Sequence, residues 1–139
     1  MEITANAIQT VAAGANVLFT DEVTTGNCSI IHRDGSGLVT LRGLTTQCRA
    51  RFRVSFGGNV AIPTGGTVGP VTFALAINGE PVATTTMIST PTAVEEYNNV
   101  FSAIFLDVPR NCCMQISVRN IGTDPVEIQN ANLIVERVA

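Results

Sequence analysis

Residues 47–56 read Gln-Cys-Arg-Ala-Arg-Phe-Arg-Val-Ser-Phe, and their alternation decides the fold class. Successive side chains of an extended chain point to opposite faces. Cys48, Ala50, Phe52, Val54 and Phe56 therefore fall on one side, and Arg49, Arg51, Arg53 and Ser55 on the other. A period of two this regular puts one face in a core and leaves the other polar and outside it.

The neighbouring segments repeat the pattern. Val71–Asn78 places Val71, Phe73, Leu75 and Ile77 on one face and the small Thr72, Ala74, Ala76 and Asn78 on the other, which suggests that another surface covers the second face. Asn78-Gly79 marks a tight turn into a return run over Val82–Thr90, opened by Pro81. Asn98–Val108 is apolar on both faces: Phe101, Ala103 and Phe105 point one way, Val100, Ile104 and Leu106 the other. A strand buried on both sides in a small antiparallel protein needs a second packing surface, most simply a neighbouring subunit. Ala74, Ala76, Val100, Phe101, Ile104 and Phe105 are thus the expected subunit contacts. Strands are also expected over Asn16–Thr20, Ser29–His32, Leu38–Arg42, Cys112–Val118 and Val126–Val138, with Asn59–Pro70 as the longest loop. No stretch repeats apolar residues at helical spacing over three turns. Eight to ten short strands divided by Gly, Pro, Asn and Asp clusters predict an all-β, two-sheet antiparallel jelly-roll sandwich. Residues 1–15 are expected to be an N-terminal arm and 16–139 a single domain.

Composition restricts what such a domain does. All eight basic residues are Arg, Thr occurs seventeen times, and there is one His, one Tyr and no Trp. A net charge of −3 without Lys makes a poor non-specific nucleic-acid binder, because that affinity comes from many phosphate-neutralising cations. One His and no Lys leave few parts for acid–base or Schiff-base catalysis, so the chain is not expected to be an enzyme or to hold a cofactor. Charged residues make up only 14%, against about a quarter in ordinary soluble domains, which suggests that much of the surface meets protein. Met1–Ala15 lacks a signal peptide's basic start and apolar core, and no apolar run approaches a membrane span, so a soluble product with no membrane partner is expected.

Few side chains group for chemistry. Cys28, Cys48, Cys112 and Cys113 match no zinc or redox spacing and read as small buried apolar residues. A disulfide of undetermined pairing and a metal site of Cys28, His32 and a distant Cys are the alternatives. His32-Arg33-Asp34 flanks a turn without a nucleophile elbow, and the Gly pairs at 57–58 and 65–66 precede no helix. The carboxylates near loops show no regular calcium spacing, and no metal is expected. Arg49, Arg51 and Arg53 are the most unusual feature. They read either as a solvated face paired with Glu80, Glu95 or Glu96, or as a partner-binding surface, since Arg suits interfaces and bidentate carboxylate pairing.

The order of elements resembles the compact jelly roll of the tumour-necrosis-factor and complement globular-head superfamily. Within it the likeness is nearest the C-terminal domain of the Bacillus collagen-like exosporium glycoprotein. Asn16-Val17-Leu18-Phe19-Thr20 resembles the first strand. Leu38–Leu41 followed by Phe52–Phe56 resembles the central pair, Phe73–Val82 the Asn-Gly-x-Pro-Val hairpin, and Leu133–Ala139 the closing strand. The resemblance implies a tight homotrimer without enzymatic activity. No Gly-x-y tract is present, so a stalked filament tip is not implied. Small proteins of this kind also look like decoration or fibre-head proteins of tailed phages. The expected role is a structural trimer on a virion surface, as a head decoration or a fibre or spike component. Its partners would be itself, the particle's other structural proteins, and a host-surface glycan or receptor. The alternative is a trimer on a bacterial spore or cell surface that binds a receptor or glycan.

Overall fold

The computed structural model describes residues 1–139. Twelve strands form two antiparallel sheets: β1 (Glu2–Ala5), β2 (Gln9–Val11), β3 (Asp21–Thr24), β4 (Ile30–His32), β5 (Val39–Arg42), β6 (Arg49–Ala61), β7 (Val71–Ile77), β8 (Glu80–Pro81), β9 (Met87–Ser89), β10 (Asn98–Pro109), β11 (Cys113–Asn120) and β12 (Val126–Arg137). The first sheet runs β10-β6-β12-β1-β3, with β2 also on β12. The second runs β4-β5-β11-β7-β8, with β9 also on β7. This is the jelly-roll sandwich that the alternation predicts.

The alternating apolar residues meet between the sheets. Twenty-eight buried residues form one cluster, and Phe19, Phe52, Phe56 and Phe73 are fully closed from solvent within it. Phe19 meets Phe56 edge to face, with ring centroids 6.3 Å apart. Asn78 (φ 51°) and Gly79 (φ 86°) make the tight hairpin turn that their sequence signals.

Several boundaries differ from expectation, each for a local reason. The first fifteen residues are not a separate arm. β1 lies between β12 and β3, with Glu2 opposite Ile134, and the terminal ammonium of Met1 donates to the Val135 carbonyl at 2.7 Å. Asn16–Thr20 makes only one bridge, between Asn16 and Arg119. Gln9 takes the place of a strand partner there: its Nε2 donates to the Leu18 carbonyl and its Oε1 accepts the Leu18 N–H, at 2.8 and 3.0 Å. The run 82–90 is broken by a 3-10 turn at Ala83–Thr85. Thr85 causes the break, because its hydroxyl accepts the Leu75 N–H and donates to the Val82 carbonyl, replacing ladder bonds. β6 continues through Gly57-Gly58 to Ala61, so the long loop begins later than predicted. Phe101 lies opposite Gly57, and a side chain at Gly58 would press on Ile128 at 3.2 Å, so these glycines serve sheet packing.

Candidate interaction face

β10 is an edge strand of twelve residues, bonded only to β6. Residues directly opposite on antiparallel strands share a face. The register sets Phe101 against Gly57, Ala103 against Ser55, Phe105 against Arg53 and Asp107 against Arg51. On the far side of β6, Ser55 meets Ile134 and Arg53 meets Glu136. The outer face of the first sheet therefore carries an apolar stripe of Phe101, Ala103, Phe105 and Ile134. The arginine row lies at one end of it. The exposures are 64% for Phe101, 63% for Phe105 and 40% for Ile134.

The structure thus brings together two features that the sequence left apart, the arginines and the aromatic pair. It does not bring in the other expected contacts. Ala74 and Ala76 have no accessible surface. Their face is closed within the chain, because Arg119, opposite Ala74, reaches along the sheet to donate to the Gly79 carbonyl at 2.8 Å. Val100 is buried and Ile104 packs against the core, so their side of β10 faces the sandwich interior. Asn98–Val108 is apolar on both faces, but only one of them is free. Ile134 was not singled out in the sequence. Its strand alternates normally, and only the register places it beside Ser55 and the Phe stripe.

The arginines do not pair with Glu80, Glu95 or Glu96. Arg51 holds Asp107 in a two-pronged contact, Nε to Oδ1 at 2.8 Å and Nη2 to Oδ2 at 3.1 Å. Arg49 reaches the same carboxylate at 3.4 Å, and Arg53 reaches Glu136 at 3.5 Å. Cross-strand register sets these partners, whereas Glu95 binds the Thr64 N–H in a distant loop. Two carboxylates answer three guanidiniums, so the row is nearly neutral rather than a strong positive field.

The hydrogen bond from Arg51 holds the Asp107 carboxyl below its ordinary value, with the charges of Arg51 and Arg49 adding to it. A depressed folded pKa gives stabilisation that is present above the unfolded value of 3.8 and is lost as pH falls below it. The effect is small for exposed groups. Melting curves between pH 6 and pH 2.5 are expected to fall less steeply for Asp107→Asn than for the natural chain; parallel curves would count against the pairing.

Tyr97 and Glu127 stand toward the other end of the same sheet, where the phenol donates to Oε2 at 2.9 Å. Desolvation first, and then this bond to a carboxylate, pushes the phenol up to about 12. With one Tyr and no Trp, ultraviolet absorbance reads this group alone. The expected titration midpoint is about 12 in the folded chain and 10.0 after unfolding. The unfolded phenol ionises first. The stabilisation is therefore complete below pH 10.0 and drains as pH rises toward 12. A folded midpoint near 10.0 would remove the Glu127 contact from the account.

The remaining candidates lie elsewhere. His32 is half-buried, and its Nε2 meets the Ser36 carbonyl at 2.9 Å across the turn, not Asp34. All four cysteines are exposed and unbonded, which corrects the expectation that they are core residues: each lies at a strand end or in a turn, beyond the reach of the sandwich interior. No three His, Cys, Asp or Glu side chains converge on one point. A cleft of about 460 Å³ opens between the loops at 62–72 and 120–126, walled by threonines, glycines and prolines. Its one fully buried polar side chain, Asn120, is already satisfied by the Val11 and Asp124 carbonyls and the Gly122 N–H.

Comparison with known structures matches this arrangement. The Eiger TNF structure from S. frugiperda superposes over 100% of this chain and 92% of that one, with a TM-score of 0.71 at 12% identity. The globular domain of zebrafish complement 1qA superposes over 96% and 93%, with a TM-score of 0.63 at 10% identity. The fold is a TNF/C1q-like jelly roll. At these identities the likeness establishes the fold alone. No protein-family model matches the chain, and no curated protein matches it in sequence.

Proposed function

We propose that the chain is a non-enzymatic structural module that assembles as a homotrimer through the outer face of its first sheet, on the surface of a larger particle. One observation carries the reading: two phenylalanines more than 60% exposed on a long edge strand. A monomer with a long apolar edge strand risks uncontrolled pairing, and assembly removes that liability. Phe101 and Phe105 supply the desolvated centre of the contact, with Ile134 and Gly57 beside them. Arg49, Arg51 and Arg53 with their carboxylates form its polar rim, the usual layout of an interface. The copy number of three comes from the resemblance to the TNF and complement heads. The non-catalytic reading is supported by the single imidazole, whose Nε2 meets the Ser36 carbonyl and which has no carboxylate partner among its hydrogen bonds.

The finer reading is a phage virion surface, as a decoration or a fibre component, supported by the 14% charge and the absence of Lys. A bacterial spore or cell surface, with a receptor or glycan as ligand, is the alternative location. Native mass spectrometry should give a species of three chains, and gold-labelled antibody should decorate virions. Labelled spores with bare virions would transfer the protein to the alternative location, and a species of one chain would overturn the assembly.

A further inference from the structure

Three asparagines cross the outer face of the first sheet beside the Phe stripe. Asn99 lies opposite Asn59. Asn59 lies opposite Gln129, where β12 shifts register and Asn130 enters the same row. Asn99 and Phe101 are two residues apart on one strand, so they share a face about 7 Å from each other.

The side-chain amides form a ladder with a fixed sense. Asn99 Nδ2 donates to the Gly58 carbonyl at 3.3 Å, and a carbonyl only accepts, so the nitrogen of the Asn99 amide must face that way. The same nitrogen donates to Asn59 Oδ1 at 3.3 Å. Asn59 then turns its Nδ2 to the other side, where it donates to Asn130 Oδ1 at 3.3 Å. Within the chain, Asn99 Oδ1 is left unused at the β10 margin and the Nδ2 group of Asn130 is left unused over β12. One end of the row accepts and the other donates. Both end residues are exposed, and Asn59 between them is half-buried.

The backbone is bent to place the donor end. Asn130 has φ 55°, a region where glycine is at ease and a side chain is disfavoured. A bulge re-aims a side chain out of the regular pleat. Here the side chain it aims is an amide on an otherwise unpartnered face.

We infer, resting on the trimer proposed above, that this ladder is a specificity element of the contact, in which Asn130 Nδ2 of one copy donates to Asn99 Oδ1 of the next. A closed ring of three repeats one head-to-tail contact, which needs two different and complementary ends. The ladder has such ends. The Phe stripe supplies attraction with little direction, because apolar burial is non-directional. A neighbour seated on it in the wrong register would bury the donor and the acceptor unpaired beside a dry centre. A single polar side chain fixes the register of coiled coils in the same way.

Subunit exchange between unlabelled and heavy-isotope-labelled trimers of the full chain, followed by native mass spectrometry, tests this. Asn130→Gly removes the amide and keeps the backbone, since glycine accepts that φ. Release of one subunit then breaks two weakened contacts, so exchange should run on the order of tenfold faster than in the natural chain. Asn130→Asp sets an ionised carboxylate, which only accepts, against the Asn99 oxygen, and should exchange faster still at pH 7. At pH 4 the protonated carboxyl donates again, so this variant should slow toward the natural rate while Asn130→Gly does not. The natural chain at both pH values accounts for the other carboxyls of the sheet, Glu2, Asp107, Glu127 and Glu136. A natural exchange rate in Asn130→Gly, or no relative slowing of Asn130→Asp at pH 4, would overturn the ladder and leave the trimer standing. A natural chain that is a monomer would overturn both.

Discussion

Replacing Phe101 and Phe105 together by Asp is expected to turn the assembled protein into a folded monomer. Neither ring supports the core: both stand on the solvent side of β10, more than 60% exposed, opposite Gly57 and Arg53. The far-ultraviolet spectrum and the core packing of the variant should therefore be retained. In the trimer the same rings fill the dry centre of the contact. Truncating a central aromatic costs about 2 kcal/mol or more, and a buried unpaired carboxylate costs further. Two such changes should weaken assembly on the order of a thousandfold. Sedimentation velocity checks this directly. An unchanged sedimentation coefficient at micromolar concentration would place the contact on another face. Ala74→Asp would be uninformative for assembly, because that site is sealed within the chain and the charge would instead disturb the fold.

Phe56→Ala acts on the other side of the same sheet and should unfold rather than dissociate. Its ring has no exposure and packs edge to face on Phe19, which is held in a segment that belongs to neither sheet as a regular strand. Emptying such a site costs about 3–5 kcal/mol, from lost transfer energy plus the cavity left behind. That is a large part of a small domain's total stability. The loss is read as a lower urea midpoint at an unchanged slope. A change under 1 kcal/mol would mean that the interior between β6 and Phe19 is loosely packed.

The contrast between these two residues shows what the sequence could say. The alternation over 47–56 separates Phe52, Val54 and Phe56 from the arginines without knowledge of any partner strand, because side-chain direction is a local property of an extended chain. Turn positions such as Asn78-Gly79 are equally local. Register is not local. Nothing within β10 or β6 says that Phe105 meets Arg53, or that Asp107 rather than Glu80, Glu95 or Glu96 takes Arg51. Those pairs join residues more than fifty positions apart. Side chains that act as strand partners hid in the same way. Gln9 and Thr85 each substitute for a ladder bond, and composition and periodicity carry no sign of it. Ala74 and Ala76 looked like a contact surface because a small, uncharged face is the same in sequence whether a second subunit covers it or Arg119 from the next strand does.

The low charge now has a location. The outer face of the first sheet holds an uncharged middle, from Phe101 to Phe105 and across to Ile134, with the ion pairs of Asp107 and Glu136 at one end. Isolated exposed pairs contribute little to stability, so their part in this account is to orient and rim a contact.

The most direct test of that contact is the mass of the natural chain in solution. Light scattering behind size exclusion, in reductant and over a hundredfold dilution, should give three times 14.6 kDa at every concentration above the nanomolar range. A single 14.6 kDa species throughout would contradict the assembly, and with it the role proposed for Phe101 and Phe105.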